Sequence, residues 1–563
     1  MKVVIVGGVA AGASAAARLR RLDERAEIVV FERSGYVSYA NCGLPYYVGD
    51  VITDSENLTL QTPKGFYDRF RVEAKVHHEV TAINPKEKTV TVKNLENGNE
   101  FKENYDKLIL APGARPLVPG IFGADLDKVF KLRTVEDTFR IKDFINKTKP
   151  ESVVIAGGGF IGIEMAENLK ELGMDVTLVQ LFKQLTGNLD PDIACFVHSE
   201  MRKHGIKLHL GQAVEGFEKN EDGVKVLVKN QKPLYADMAI LAVGVSPDTK
   251  LAKDAGLELG IGGSIIVNDR METSSPDIYA AGDAVQVKHY VTGKNALISL
   301  AGPANKQGRI IADNICGGDS RYLGSQGSSI LKVFDITAAS TGINETEAKL
   351  AGLDADFVIL SPMSNSSYYP GGKVMTMKVV FEKGTYRLLG AQIVGYDGVD
   401  KRIDVIATAI HAKLKATQLK DLDLSYAPPY SSAKDPVNMA GFMIENIARG
   451  ILKQWHLADE KNLPRDGSVT LLDTRTVKEY SAGNVEGFKN IPVDELRERL
   501  DEIEKGKPVY VICQSGIRSY IACRILEGYG YEAYNFSGGF RFYDAVTRDQ
   551  ALIEESYDCG KDK

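Results

Sequence analysis

The pattern of apolar positions at the start of the chain predicts a buried strand, a glycine turn and a helix of small residues. The run VVIVGGVAAGASAA covers residues 3–16, and a second apolar strand, EIVVFER, at 27–33 brings Glu32 to its end. In such a unit glycines let the backbone approach a pyrophosphate, and the acidic residue hydrogen-bonds a ribose. We therefore predict a dinucleotide-binding unit, although Val9 replaces the central glycine of the motif. The predicted cofactor contacts are Gly7, Gly8, Ala10, Ala11, Gly12 and Glu32.

A second unit of the same kind follows at SVVIAGGGFIGIEMAENL (152–169), with the next strand predicted at DVTLVQ (175–180). Its glycine spacing fits the motif completely. NAD-preferring folds place an acidic residue where Gln180 stands, and Lys183 nearby favours NADP, so the choice between NADH and NADPH stays open. The predicted cofactor contacts are Gly157, Gly159, Phe160, Ile161, Gly162, Glu164 and Gln180.

Three further segments lie at 105–119, 236–249 and 273–285. In the last, a strand at 278–280 delivers Gly282 and Asp283 to a helix start, where a carboxylate suits the ribityl and phosphate region of a flavin. Together with both glycine turns, these segments resemble the two-dinucleotide-binding pyridine nucleotide–disulfide reductase family over residues 1–320. The resemblance implies FAD and either NADH or NADPH. It adds Arg33, Ala111, Gly113, Arg115, Gly244, Gly282 and Asp283 as cofactor contacts.

The rest of the chain predicts two more modules. Residues 326–446 alternate strand-like runs with a helix predicted at 404–416, and in the family this segment is the dimerisation domain of a homodimer. After a polar break, an α/β pattern begins at SVTLLDTR (468–475). The last hundred residues or so resemble a rhodanese domain, with an Asp-x-Arg, a Gly-x-x-x-Gly-x-x-Asn-Ile-Pro run and a loop from Cys513 to Arg518; Asn484 stands where a histidine is usual. This six-residue loop has the length associated with sulfur carriage.

The predicted fold class is α/β, with two interleaved Rossmann-like domains, an α+β dimerisation domain and a C-terminal α/β rhodanese domain. The predicted limits are 1–112 with 245–325 for FAD, 113–244 for NAD(P)H, 326–446 for dimerisation, 447–465 for a linker and 466–563 for rhodanese. Dividing 563 residues by roughly 150 per domain gives about 3.75 domains, which agrees with four modules.

Charge and composition make several classes of function and location less favourable. Lys+Arg 69 against Asp+Glu 75 gives a net charge of −6, which does not suggest a nucleic-acid or polybasic membrane binder. The first strand begins directly after Met1-Lys2 and no apolar run reaches about 20 residues, so we expect a cytoplasmic protein. Six scattered cysteines favour reduced thiols with individual roles.

Cys42, in SYANCGLPYYVGD (38–50), is the predicted redox centre. Tyr47 occupies the position of the second cysteine of a glutathione-type reductase, so oxidised Cys42 must be a sulfenic acid or a mixed disulfide. The surrounding residues look like the coenzyme A-disulfide reductase branch, and the whole chain is similar to coenzyme A-disulfide reductase–rhodanese fusions, including NADH-dependent persulfide reductases. NADH peroxidases and water-forming oxidases share the lone cysteine, but typically carry a histidine in the first glycine turn, which here holds Ala10.

The resemblance also implies a coenzyme A site and residues from a second subunit. Tyr368 and Tyr426 of the partner would assist the departing thiolate, although Tyr369 and Tyr430 lie close enough to leave this assignment open. No spacing among the eight histidines suggests a metal site. The implied coenzyme A contacts are Ser14, Arg18, Arg21, Ser38 and Asn41, with Arg69, Arg71, Asn305 and Lys434 as further candidates.

Cys513 is the second cysteine to which we assign chemistry. It ends a strand and opens a helix, so loop amides and the helix dipole favour its thiolate, and Arg518 adds positive charge. Cys195, Cys316, Cys523 and Cys559 are interpreted as structural or incidental.

The function expected from these features is electron transfer from NAD(P)H through FAD to Cys42. The thiolate of Cys42 would attack a coenzyme A disulfide or persulfide, and Cys513 would load sulfane sulfur, with thiol and hydrogen sulfide as products. Three alternatives stay open: an NADH oxidase or peroxidase, a sulfurtransferase with a regulatory flavin domain, and a non-enzymatic redox sensor.

Overall fold

The computed structural model describes residues 1–59 and 61–558. Cys559 lies outside the described residues. The chain forms two compact units, the first from Met1–Lys183 with Gly205–Gly327 and the second from Gln184–His204 with residues 328–558. Among the described residues, no helix combines the length and apolarity needed to cross a bilayer.

The first unit contains a fully parallel sheet at the N-terminal glycine turn. Its strands are buried on both faces, which explains their continuous apolar runs. The helices Ala10–Leu22 and Ala301–Ile315 pack closely against each other, because a Cβ on Gly308 would lie 2.2 Å from the carbonyl oxygen of Ala11. The strand order is Ile278–Ala280, Lys107–Leu110, Lys2–Val6, Glu27–Phe31 and Val72–Lys75.

A second parallel sheet carries the second glycine turn. Its strand Asp175–Gln180 agrees with the predicted residues, whereas the strand predicted at 27–33 ends at Phe31. The strand order is Lys207–Leu210, Asp175–Gln180, Ser152–Ala156, Met238–Leu241 and Val129–Phe130.

Smaller elements complete the first unit. The antiparallel sheets are His78–Asn84 with Thr89–Asn94 and Glu100–Asn104, Val214–Lys219 with Val224–Val228 and Leu234–Ala236, and Ala114–Pro116 with Val245–Pro247. A mixed sheet joins Ile265–Ile266, Val285–Lys288 and Asn295–Ala296. The other helices are Leu44–Val48, Pro63–Phe70, Val135–Thr148, Phe160–Glu171 and Lys250–Asp254, with short 3₁₀ turns at Asn41–Gly43, Ser55–Asn57, Ile261–Gly263 and Gly282–Ala284.

The second unit contains an antiparallel sheet and a parallel sheet. The antiparallel order is Ser329–Val333, Ile336–Gly342, Leu388–Gly395, Met375–Glu382 and Ala355–Leu360, with helices Glu345–Ala351, Val399–His411 and Pro436–Ala448 and a 3₁₀ turn at Ala416–Asp421. The helix predicted at 404–416 is displaced: Gly398 and Lys413, both with positive φ, flank the observed helix. A left-handed residue breaks the helical path, so the apolar pattern alone placed the helix too late.

The parallel sheet carries Cys513. Its strand order is Gln454–Trp455, Ala533–Phe536, Val509–Ile512, Thr470–Asp473 and Lys489–Asn490. Trp455, in the segment predicted as a linker, is buried against Phe536 with ring centroids 4.3 Å apart. That segment therefore has regular structure, while the domain limits stay a prediction. The helices are Val477–Ser481, Ile517–Gly528 and Gly539–Asp558, with 3₁₀ turns at Leu457–Asn462, Leu496–Glu498 and Leu500–Glu502.

The helix Pro191–Lys203 also belongs to the second unit and is joined to the last helix by a buried polar cluster. His198 accepts a hydrogen bond from the Leu185 amide at Nε2 (3.0 Å), so Nδ1 carries the proton and donates to Asp549 (2.7 Å). Arg202 donates to the other oxygen of Asp549. Burial opposes the ionisation of Asp549, but His198 and Arg202 outweigh it and hold the pKa of this carboxyl below its usual range.

We predict that Asp549→Ala destabilises the second unit by about 1–3 kcal/mol, because His198 and Arg202 lose a buried acceptor. Urea denaturation followed by circular dichroism measures the change. Asp544→Ala is the control, since Asp544 pairs only with Arg548 at the surface of the same helix. Equal midpoints for both variants would contradict the structural role of Asp549.

Candidate functional site

The first glycine turn has no room for side chains. A Cβ on Gly7, whose φ is 94°, would lie 2.1 Å from the carbonyl oxygen of Ala111, and one on Gly12 would lie 1.9 Å from that of Gly7. Glu32 is buried and accepts hydrogen bonds from the amides of Gly8 (2.8 Å) and Ser34 (2.9 Å). The turn therefore presents bare backbone beside a fixed carboxylate, which fits a dinucleotide. Ala10 and Ala11 begin the following helix.

Asp283 lies in the 3₁₀ turn Gly282–Ala284, and Gln307 anchors this turn by accepting a hydrogen bond from the Gly282 amide (2.7 Å). One oxygen of Asp283 lies 3.1 Å from Nη2 of Arg133. A Cβ on Gly113 would lie 3.1 Å from the same nitrogen, so Gly113 makes room for the pair. Arg133 was not predicted, because no motif marks it.

The structure brings several of the other predicted flavin contacts together. Arg115 lies in a strand that pairs with Val245–Pro247, and Gly244, with φ 113°, accepts a hydrogen bond from the Leu117 amide (2.9 Å). Arg33 is already engaged, with Nη1 2.9 Å from Asp248. The predicted set thus includes backbone positions that shape the turn and side chains, Arg33 and Asp283, that already pair with other residues of the chain.

Cys42 is exposed in the 3₁₀ turn Asn41–Gly43 and is followed by the helix Leu44–Val48. Ser38 has a positive φ and donates its amide hydrogen to the carbonyl oxygen of Gly8 (2.8 Å), which ties this segment to the first glycine turn. Desolvation by the surrounding protein raises the pKa of the Cys42 thiol, and the charges of Glu164 and Asp283 raise it further. A thiol in this environment needs a compensating positive charge or proton acceptor to react.

The second glycine turn has the same close contacts and one open position. A Cβ would lie 2.2 Å from the Ala242 carbonyl oxygen at Gly157 and 2.0 Å from the Gly157 carbonyl oxygen at Gly162, whereas one on exposed Gly159 meets nothing within 4 Å. The open position is where a ligand can approach the backbone. Gln180 accepts a hydrogen bond from the Gly158 amide (3.2 Å).

Glu164 lies on the helix Phe160–Glu171, whose first residues, Phe160 and Ile161, are half-buried. Burial, with a contribution from Glu167, raises the pKa of Glu164 to about 7. The helix also packs against the Cys42 segment, because a Cβ on Gly49 would lie 2.1 Å from the side-chain oxygen of Asn168. The charge of this titratable carboxyl acts on the Cys42 thiol.

The predicted coenzyme A contacts on the first helix already have partners. Ser14 donates to Asn305, and Arg18 lies 2.7 Å from Asp313, whereas Arg21 is exposed. Arg20, which was not predicted, is buried and donates to five backbone carbonyls, a structural role. The other exposed cationic candidates are Arg69, Arg71 and, in the second unit, Lys434.

The tyrosine cluster of the second unit is connected through its hydroxyl groups. The hydroxyl oxygens of Tyr368 and Tyr426 lie 2.7 Å apart, and that of Tyr426 lies 3.3 Å from Ser366 Oγ. Ser366 donates its hydroxyl hydrogen to the carbonyl oxygen of Ser431 (3.0 Å), so Ser366 can only accept from Tyr426. The two predicted tyrosines are thus paired on one exposed surface of this unit.

Cys513 is buried at the end of the strand Val509–Ile512. Its Sγ accepts hydrogen bonds from the Gly516 amide (3.1 Å) and from Ser519 Oγ (3.2 Å), and Gly516 precedes the helix Ile517–Gly528. The guanidinium of Arg518, which is expected to add positive charge, pairs with both oxygens of Glu479, so a carboxylate offsets this charge. The role of Arg518 at Cys513 stays a prediction. Cys523 is buried, and burial raises its pKa above the usual range.

One cluster of metal-ligating groups was not expected from the sequence. Side-chain atoms of Glu200, His204 and Asp335 lie within 4.8 Å of one another. The Lys203 ammonium lies 3.1 Å from both Glu200 and Asp335. A cation of the protein itself thus already offsets one of the two negative charges.

The match to known families is extensive. The family model described as pyridine nucleotide-disulphide oxidoreductase matches residues 1–308, more than half of the chain. The chain belongs to this family. Its dimerisation-domain model matches residues 328–436, and a rhodanese-like domain model matches residues 457–545. The predicted α/β fold class with oxidoreductase, dimerisation and rhodanese modules is confirmed, and membership in the family implies FAD and NAD(P)H as cofactors.

Three proteins that are similar to this chain have names that state an activity or a domain composition. Coenzyme A disulfide reductase of Staphylococcus aureus (strain JH9) is 37% identical over 442 residues, which are 78% of this chain and 99% of the relative. The structure of reduced Bacillus anthracis CoADR-RHD is 46% identical with a TM-score of 0.95, covering 97% of this chain and 98% of that one. The NAD-dependent persulfide reductase from A. fulgidus is 39% identical with a TM-score of 0.90, covering 96% and 100%. The predicted resemblance is confirmed.

We predict that Gly12→Ala loses most of its bound FAD, because the new Cβ would clash with the Gly7 carbonyl oxygen. The flavin absorbance per subunit of the purified protein measures the loss. Gly528→Ala is the control, since a Cβ there meets nothing within 4 Å and the backbone is helical. Full flavin content in Gly12→Ala would contradict the assignment of this turn.

We predict that Glu164→Gln lowers the pKa of Cys42, because a negative charge near the thiol disfavours the thiolate. The pH dependence of the Cys42 alkylation rate measures the change. Glu171→Gln, at the exposed end of the same helix, should leave the profile in place. A Cys42 profile that does not move toward lower pH in Glu164→Gln would show that Glu164 does not act on the thiol.

Proposed function

We propose that this chain is an FAD-dependent NAD(P)H oxidoreductase that reduces coenzyme A persulfide, polysulfide and coenzyme A disulfide through Cys42. The observation that carries this proposal is one exposed redox thiol next to the flavin turn, in a chain that also holds a buried rhodanese thiol. Relatives named coenzyme A disulfide reductase and NAD-dependent persulfide reductase support the substrate class.

In this proposal the two glycine turns bind the cofactors. The bare backbone at Gly7 and Gly12 would hold the FAD pyrophosphate, with Glu32 and Asp283 at its ribose and ribityl groups, and the turn at Gly157 would hold NAD(P)H. When bound, FAD supplies what side chains lack, the acceptance of a hydride from NAD(P)H and the delivery of two electrons to sulfur.

Cys42 carries the sulfur chemistry in this proposal. Its thiolate attacks the disulfide, the S–S bond breaks, and the electron pair leaves on coenzyme A thiolate, which leaves coenzyme A joined to Cys42. Two electrons and one proton then release the second thiol and restore the Cys42 thiolate. The overall balance is one NAD(P)H and one proton for two thiols, or for one thiol and one hydrogen sulfide when the substrate is a persulfide.

The proton donors are proposed to come from a second subunit. Tyr368 and Tyr426 share a hydrogen bond. This bond raises the pKa of Tyr368, whereas hydrogen bonding with Ser366 and Tyr368 lowers the pKa of Tyr426. A phenolic hydroxyl suits the protonation of a departing thiolate. The dimerisation-domain match supports a homodimer. We propose a cytoplasmic location, because the reaction consumes NAD(P)H and all cysteines in the described part of the chain are free.

The remaining charged and polar candidates would bind coenzyme A. Arg21, Arg69 and Arg71 are exposed and suit its phosphates, while Ser38 and Asn41 flank Cys42 at the thiol end. Arg18 and Ser14 would first have to release Asp313 and Asn305. Lys434 is a further proposed coenzyme A contact, and Cys513 is proposed to accept sulfane sulfur and pass it to coenzyme A.

The test is steady-state oxidation of NADH and NADPH with coenzyme A disulfide, coenzyme A persulfide, polysulfide or oxygen. We predict that Cys42→Ser lowers every sulfur-dependent rate by about a thousandfold or more, since a nucleophile is lost. Cys513→Ser should keep coenzyme A disulfide reduction and lose polysulfide reduction. Fast NADH oxidation with oxygen alone would favour the oxidase instead, and full persulfide reduction by Cys42→Ser would refute the mechanism.

A further inference from the structure

Arg518, the cationic side chain that closes the rhodanese loop, already has a carboxylate partner. Its Nη1 and Nη2 each lie 2.7 Å from an oxygen of Glu479, a two-pronged pair that fixes the guanidinium plane. Hydrogen bonding from Arg518 lowers the pKa of Glu479 to about 2, despite some burial, so the carboxylate is charged at neutral pH. Glu479 therefore cancels the charge that Arg518 would otherwise offer to an anionic sulfur donor.

Glu479 is held in position independently of Arg518. The amide and the hydroxyl of Thr476 both donate to Glu479 Oε2, at 2.9 Å and 2.8 Å, and Thr476 Oγ1 accepts from the Glu479 amide at 3.3 Å. This is a capping box at the start of the helix Val477–Ser481. The carboxylate thus belongs to the local fold and is available as a fixed charge beside the loop.

The groups that touch the Cys513 sulfur itself are neutral. They are the Gly516 amide and the Ser519 hydroxyl. With Cys513 as a thiolate, Arg518 contributes +1, Glu479 −1 and Cys513 −1, so the loop and its partner carry a net −1. A donor with two negative charges at its reacting end is therefore repelled, whereas an organic persulfide carries its phosphate charges, if any, far from the reacting sulfur. Three apolar side chains of the same domain, Val477, Ile517 and Ile521, expose 60%, 64% and 42% of their surface.

We propose that Glu479 determines the specificity of the rhodanese loop, directing Cys513 toward organic persulfides and away from inorganic dianions such as thiosulfate. The inference rests on the proposed function, in which Cys513 accepts sulfane sulfur. It extends that role by naming the chemical class of the sulfur donor.

The two transfers differ in the charge on the leaving group. With an organic persulfide, the Cys513 thiolate attacks the terminal sulfur, the S–S bond breaks, its electron pair leaves on the organic thiolate, and the proton stays on the new Cys513 persulfide. With thiosulfate, which brings no proton, the same bond change places the electron pair on sulfite, a dianion, and leaves the Cys513 persulfide as an anion. Neither transfer needs an oxidant or a reductant. Only the second builds two negative charges beside Glu479, so the carboxylate opposes it more strongly.

The experiment compares the rates at which the full-length protein takes up sulfur at Cys513 from thiosulfate and from coenzyme A persulfide, measured on the Cys513 peptide by mass spectrometry. Glu479→Gln is the informative variant, because glutamine keeps the capping box and removes only the charge. We expect the thiosulfate-to-persulfide rate ratio to rise about tenfold. Glu502→Gln, which breaks an ion pair with Arg499 elsewhere in the same domain, should leave the ratio unchanged.

The double variant Glu479→Gln with Arg518→Gln should lose the gain, because the gain comes from the released guanidinium. An unchanged ratio in Glu479→Gln, or a gain that persists without Arg518, overturns the inference. Coenzyme A disulfide reduction, which needs Cys42, serves as the fold control in every variant. If the wild-type Cys513 takes up sulfur from neither donor, the proposed rhodanese role itself fails; uptake with an unchanged ratio overturns only the role of Glu479.

Discussion

The first unit depends on one steric constraint, the absence of space for a Cβ at its two glycine turns. At Gly7 and Gly157 the turn backbone passes within contact distance of the carbonyl of a neighbouring strand end, and at Gly12 and Gly162 the helix approaches the turn itself. This constraint leaves amides facing outward for phosphate. It also positions Cys42, since the same turn accepts the hydrogen bond from the Ser38 amide. In the proposed function, cofactor binding and the placement of Cys42 therefore share one backbone geometry.

The two cysteines that are proposed to carry sulfur chemistry have opposite environments. Cys42 is exposed, and desolvation and nearby carboxylates raise the pKa of its thiol. Cys513 is buried and receives two neutral hydrogen bonds. The first environment suits a thiol that reacts once a positive charge or a proton acceptor is placed next to it. The second suits a sulfur that hydrogen bonds hold in place and that burial protects from solvent. A chain with one sulfur site of each kind can separate electron delivery from sulfur delivery.

Local motifs predicted much of the fold, because glycine spacing and apolar runs report on neighbouring residues. The turns at Gly7 and Gly157, the strand Asp175–Gln180 and the loop of Cys513 follow from them. The sequence could not predict pairs between distant residues. Arg133 meets Asp283 across 150 positions, and Arg518 meets Glu479 across 39. Both pairs change the charge of a site, so the electrostatics were less predictable than the fold.

The periodic pattern of a helix also does not show which of its polar residues are buried. The first helix carries three arginines in four positions, and only the structure shows that Arg20 is buried on backbone carbonyls, Arg18 is ion-paired and Arg21 is exposed. Likewise, Trp455 looks like part of a polar linker, but parallel pairing with Phe536 makes it the edge of a sheet. Which residue of a local group faces the core depends on tertiary packing that a single sequence does not display.

The most direct test of the central claim, that Cys42 exchanges with coenzyme A and is restored by NAD(P)H, is a single turnover in the Cys513→Ser variant. Incubation with coenzyme A disulfide, without reductant, should attach one coenzyme A to the Cys42 peptide, as read by mass spectrometry. Anaerobic NADH or NADPH should then release one coenzyme A thiol per subunit. An unmodified Cys42 peptide, or an adduct that neither nucleotide removes, would contradict the account.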